Sequence, residues 1–173
     1  NNMRFVYGKQ EMRSLSRSQE SCFLLTNGLG GYASLTAAYS ANRCDQGVLI
    51  AAQKAPGERV TLVHRLRETL TVDGKPYWLS TQQFADSTPP EDGFRNLSFF
   101  VFENIPHWRY HIGGVRVTRT MAMTYGQNTT AVIYKVENQS GAACSLTVDP
   151  FVKFGPKETA AKAAPSISFS QGK

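Results

Sequence analysis

Apolar and polar residues alternate with a period of two along most of the chain, and no stretch before residue 157 sustains an apolar repeat at three and four residues. The pattern predicts strands rather than helices. From Leu62 it places Leu62, His64, Leu66, Glu68, Leu70 and Val72 on one face of a strand, with Val63, Arg65, Arg67, Thr69 and Thr71 on the other. Asp73-Gly74 then suits a type I′ hairpin, with Tyr77-Trp78-Leu79 returning alongside. A second hairpin runs from Trp108 to Met123 around Gly113-Gly114. Its two-residue loop sets Ile112 opposite Val115, Tyr110 opposite Val117 and Trp108 opposite Arg119. Trp108, Tyr110, Ile112, Val115, Val117, Met121 and Met123 then form a core face, while Arg109, His111, Arg116, Thr118 and Thr120 form a wet, basic one.

Further strands are expected at 22–25, 32–39, 47–52, 97–102, 130–137 and 144–151, the last two joined by the turn Asn138-Gln139-Ser140-Gly141. About nine or ten strands with turn chemistry between them predict an all-β fold, an antiparallel β-sandwich of two packed sheets. The tail differs: residues 158–164 suit a turn of helix before Pro165, and Ser166–Ser170 a final short strand. The chain stops right after that signal, which suggests a domain cut before its end. It also starts without Met or an apolar leader segment, which suggests a chain trimmed at its start.

Composition narrows the possibilities. A length of 173 residues fits one domain, and 41% hydrophobic against 18% charged residues excludes a mainly disordered chain. Apolar runs such as Phe99-Phe100-Val101-Phe102 are far short of a membrane span, so no membrane partner is expected. The net charge of +6 is spread among interspersed acids rather than gathered in a basic run, so no nucleic-acid partner is expected either. Three widely spaced cysteines, Cys22, Cys44 and Cys144, predict neither a disulfide framework nor a zinc knuckle and fit a cytoplasmic protein.

Candidate chemistry is sparse. Asn27-Gly28-Leu29-Gly30-Gly31-Tyr32 has the glycines of a phosphate loop but neither the following Lys-Ser/Thr nor a helix, so it predicts a tight turn instead. His107 and His111 would share a strand face but have no third ligand in sight, so no metal and no cofactor is expected. There is no G-x-S-x-G elbow. Glu68, Glu91, Asp92 and Glu103 are the carboxylates available for glycoside hydrolysis, which needs a pair about 5 Å apart for retention or about 6.5 to 9.5 Å apart for inversion. Surface charge is the expected role of each. The long loop 84–96 carries Pro89-Pro90 and ends in Phe94, Arg95 and Asn96. With nearby Trp78 these offer an aromatic face and planar polar groups suited to a sugar.

The segment Leu25-Thr26-Asn27-Gly28-Leu29-Gly30-Gly31-Tyr32-Ala33-Ser34 resembles the N-terminal domain of bacterial and archaeal glycogen debranching enzymes of the amylo-α-1,6-glucosidase type. Asn42-Arg43, Gly47–Ala52, Arg67–Gly74, Ser80-Thr81, Gly93-Phe94-Arg95, Trp108-Arg109-Tyr110, Gly113-Gly114-Val115 and Asn128-Thr129-Thr130 resemble later family landmarks in the same order, over roughly residues 20 to 155. The resemblance implies a mutarotase-like supersandwich preceding a catalytic (α/α) barrel. The barrel, absent from residues 1–173, would remove α-1,6-linked glucose at branch points of glycogen or starch.

It also implies that this domain is noncatalytic, with an α-glucan such as glycogen, starch or maltooligosaccharide and the intramolecular catalytic domain as its partners. Where the family reads Arg-Arg-Tyr-His-Gly-Leu-Leu, this chain has Asn42-Arg43-Cys44-Asp45-Gln46-Gly47-Val48-Leu49, so Asp45-Gln46 replaces Tyr-His. The resemblance makes Asn27, Tyr32, Arg43 and Gln46 candidate substrate contacts beside Trp78, Phe94, Arg95 and Asn96, with turn packing as the competing role. A stand-alone carbohydrate-binding or protein-docking module is the alternative.

Overall fold

The computed structural model describes residues 4–54 and 57–156, and within them the alternation becomes thirteen strands. In chain order they are β1 (Phe5–Gly8), β2 (Cys22–Thr26), β3 (Tyr32–Thr36), β4 (Gly47–Lys54), β5 (Glu58–Val72), β6 (Lys75–Trp78) and β7 (Thr81–Gln82). They continue with β8 (Glu91–Asp92), β9 (Leu97–Phe102), β10 (Pro106–Ile112), β11 (Val115–Met123), β12 (Thr130–Asn138) and β13 (Cys144–Pro156). Helix α1 (Leu15–Glu20) was not foreseen, because six residues are too few to carry a helical repeat. The expected helical turn at 158–164 and strand at 166–170 lie outside the described residues.

One sheet has the order β1-β9-β10-β11-β12. The other has β13-β5-β4-β3-β2, with β6 also pairing β5, and all their pairings are antiparallel. Both foreseen turns adopt the positive φ that a type I′ loop demands: Asp73 at 50° and Gly74 at 75°, Gly113 at 53° and Gly114 at 82°. The second turn sets the expected register, Ile112 on Val115, Tyr110 on Val117 and Trp108 on Arg119. β3 ends three residues earlier than its alternation suggests. Tyr39 turns at φ 63°, and Thr36 bonds to Ser40 through both main chain and side chain.

The facing surfaces of the sheets make the core. Trp108 meets Phe23 of the opposite sheet at 5.4 Å and Phe100 of its own at 5.2 Å between ring centroids. Its indole N–H donates across the gap to the carbonyl of Ala37 at 2.9 Å.

Glu68 and Glu91, expected as surface charge, are both buried. Glu68 lies against Arg119, which is fully buried on the core face opposite Trp108. Arg119 Nε donates to Glu68 Oε2 at 2.9 Å, Nη2 donates to Oε1, and Nη1 donates to the Tyr110 hydroxyl at 3.0 Å. The Tyr134 hydroxyl donates to Glu68 Oε2 as well. The guanidinium stacks 3.3 Å from the Tyr39 ring centroid. A buried carboxylate is tolerated when paired and fully hydrogen-bonded, and here the partner charge comes from the opposite sheet.

Glu91 is likewise buried. It accepts from Arg65 Nη1 at 2.6 Å and Nη2 at 3.2 Å, and from Ser80 Oγ at 3.2 Å. This pair clamps the β7–β8 hairpin over the outer face of β5. It explains why Arg65 is buried despite its outward parity, while Leu62, His64 and Leu66 are only half-buried. Register shifts against β4 and β13 in the same stretch interrupt the simple alternation.

Candidate functional site

The glycine-rich turn between β2 and β3 is organised by one side chain. Asn27 is fully buried; its Oδ1 accepts from the main-chain N–H groups of Leu29 at 2.9 Å and Gly31 at 3.0 Å. Its Nδ2 donates to the carbonyl of Gln127 at 3.0 Å and to Asn128 Oδ1 at 2.9 Å, tying the turn to the β11–β12 connection. Gly31 is required there by space, since a Cβ would stand 2.6 Å from Asn27 Nδ2. The amides that would cradle a phosphate are thus directed at Asn27, in keeping with a tight turn.

Beside this turn, the outer face of β2 and β3 forms a groove of about 570 Å³ whose lining includes Leu24, Thr26, Tyr32, Arg43, Asp45 and Arg59. The Tyr32 hydroxyl donates to the carbonyl of Asp45 at 2.7 Å, and Arg59 lies 5.5 Å from the Tyr32 ring centroid while donating to the carbonyl of Gly30 at 2.8 Å. Arg43 meets Asp45 as a planar fork, Nε on Oδ1 and Nη2 on Oδ2, both at 3.2 Å. This hydrogen-bonded partner raises the Arg43 pKa above its ordinary value. Such a lining joins aromatic and aliphatic surface to planar polar groups, which suits a sugar chain more than a compact anion.

The structure divides the eight candidate contacts. Tyr32 and Arg43 line the groove. Asn27 and Gln46 are inside the protein, with their amides engaged. Gln46 Oε1 accepts from the main-chain N–H groups of Asn42 and Arg43 at 2.8 and 3.1 Å, and its Nε2 donates to Cys22 Sγ at 3.1 Å. They shape the groove from behind.

Phe94 and Arg95 line a separate cavity of about 430 Å³ with Lys9, Met12 and Leu97. There Arg95 stands 3.5 Å from Asp92 and stacks 5.8 Å from the Phe94 ring centroid. Asn96 donates to the carbonyl of Trp78 at 2.9 Å, a contact that braces the loop. Arg59 joins the groove without having been singled out in the sequence; a lone Arg at a strand start gives no local signal.

The family model described as Glycogen debranching enzyme N terminal matches residues 21–173, which include the glycine turn, every residue named in the groove and the second hairpin. The chain belongs to this family. No curated protein and no solved structure matches it significantly. Among the carboxylates of this debranching-enzyme N-terminal domain, Glu68 and Glu91 are buried in ion pairs, Asp92 pairs with Arg95, and Glu103 is exposed.

His107 shares a 2.9 Å hydrogen bond with Thr120, and among the described residues no three His, Cys, Asp or Glu side chains gather as a metal site. The described cysteines are all unpaired, and no described helix is long and apolar enough to cross a membrane.

Proposed function

We propose that this chain is a noncatalytic domain of a cytoplasmic amylo-α-1,6-glucosidase, one that braces a downstream catalytic (α/α) barrel and offers α-glucan a groove on its outer face. The family match over residues 21–173 carries the reading. Two features support it. Glu68 and Glu91 spend their charge on Arg119 and Arg65 inside the protein, a structural use of carboxylates rather than a hydrolytic one. The groove gathers Tyr32 of β3, Arg43 and Asp45 of the β3–β4 connection and Arg59 of β5 beside the glycine turn.

The surface around β12 and β13 supports a further protein neighbour. These strands are the outer members of their sheets among the described residues, and they expose Ile133, Phe151 and Phe154.

The test pairs binding with hydrolysis. The chain alone is expected to bind maltoheptaose weakly, to lose most of that affinity in Arg43→Ala, and to release no glucose from glycogen limit dextrin. Glucose release by the chain alone would refute the noncatalytic assignment.

A further inference from the structure

One large aromatic side chain is held out into solvent by a connection built to hold it. Tyr125, between β11 and β12, is 86% exposed. The positive φ of this turn is taken by Gly126, so the backbone at 125 asks for neither a small residue nor an aromatic one. The turn around it is fixed from both sides. Thr124 donates to the carbonyl of Thr129 at 3.1 Å, Gln127 donates to that of Thr124 at 3.3 Å, and Gly126 takes φ 75°. Gly126 N–H also donates to the carbonyl of Asn27 at 2.7 Å, and Asn27 Nδ2 bonds to Gln127 and Asn128.

The same buried asparagine therefore sets both the glycine turn that walls the groove and the connection that carries Tyr125. The ring rests against Gly28, a groove-lining residue, so closely that a Cβ on Gly28 would stand 2.5 Å from Tyr125 Cε2.

Resting on the glucan reading of the groove, we propose that Tyr125 is a stacking platform that extends the groove and receives a sugar ring of an α-1,4-linked glucan chain. A pyranose ring has an apolar C–H face and a rim of hydroxyls. The exposed Tyr125 ring matches the first, and the Arg43–Asp45 fork in the groove matches the second. A tyrosine fixed at its backbone has only two side-chain torsions to order on binding, so little conformational freedom is lost when a ring stacks on it. Binding residues are commonly carried on connections that a rigid scaffold positions, and here the scaffold contact is a fully buried side chain.

Maltoheptaose titrated into the 173-residue chain by calorimetry tests the proposal. Tyr125→Ala is expected to weaken binding about five- to tenfold, the scale of one aromatic stack, with no change in melting temperature because the ring is outside the core. Tyr125→Trp should bind as tightly as the unaltered chain or tighter. Gly28→Ala should lose affinity with Tyr125 still present, because the new methyl displaces the ring. If Tyr125→Ala binds as the unaltered chain does while Arg43→Ala weakens binding, the platform is refuted and the groove stands. If the unaltered chain shows no binding at millimolar maltoheptaose, the groove and its platform both fall.

Discussion

Glu68 and Arg119 are the residues on which stability should depend most sharply. Taking either charge out of water costs several kcal/mol, and the pair is tolerated because each satisfies the other with Tyr110 and Tyr134 completing the shell. Glu68→Gln leaves the guanidinium buried without its counter-charge. The expected loss is about 3–5 kcal/mol in urea unfolding, and a joint Glu68→Leu, Arg119→Met replacement should recover much of it. Arg43 and Asp45 make the contrasting case. Their pair is exposed to water and screened by it, so Arg43→Ala should leave unfolding unchanged while altering sugar binding.

The positions of Glu68 and Arg119 were readable in part. Strand parity puts Glu68 with Leu70, and the hairpin register puts Arg119 opposite Trp108. For Glu68 the residue type argued for the surface, and the partner that reverses that argument, Arg119, is 51 residues away in the chain.

At the scale of elements, the two type I′ hairpins were legible because their geometry is decided by a dipeptide that must take positive φ. The β7–β8 hairpin was not, since its two-residue strands carry no alternation and its position depends on Arg65 gripping Glu91. The groove was legible in part: the glycine turn, Tyr32, Arg43 and Asp45 belong to segments that stand out in the sequence, while Arg59 arrives by tertiary packing.

Gly93 is the sensitive point of the β7–β8 hairpin. A Cβ there would lie 2.2 Å from the carbonyl oxygen of Leu79 and 2.4 Å from that of Ser80, both main-chain atoms that cannot rotate away. Gly93→Ala is expected to cost about 2–3 kcal/mol and to speed amide exchange at Gly93 and Phe94, whose N–H groups bond to Ser80 and Thr81. Hydrogen exchange at the Trp108–Met123 hairpin should stay slow.

For the whole molecule, the shared polar centre sets an alkaline limit. Burial pushes the Tyr110 hydroxyl up to about 12, and burial followed by the nearby Glu68 charge raises Tyr39 and Tyr134 as well. An unfolded tyrosine ionises near about 10, so the folded state resists losing these protons. The stabilisation is intact below pH of about 10 and is lost as pH rises through about 12. The expected observation is a urea midpoint that falls steeply over that interval, with tyrosinate absorbance from these rings appearing together with unfolding. His64 works at the other end. Burial, then Lys153 and Arg65, lower its pKa, so its contribution is present above about 6.5 and fades in more acidic solution. His64→Gln should flatten that acid decline.

The pairing of β5 with β13 also governs how the chain reaches its fold. The two strands meet with Val72 beside Cys144 and Thr61 beside Gly155, so a contact early in the chain waits for one of the last described segments to be synthesised. Joining such remote partners pays its entropy before any ladder forms, which places refolding in the slow, millisecond-to-second regime of non-local β proteins. A ribosome stalled between those two strands would display fifteen residues of β5 with one bare ladder edge, a natural client for a chaperone and the first place to look when translation of this domain yields aggregate.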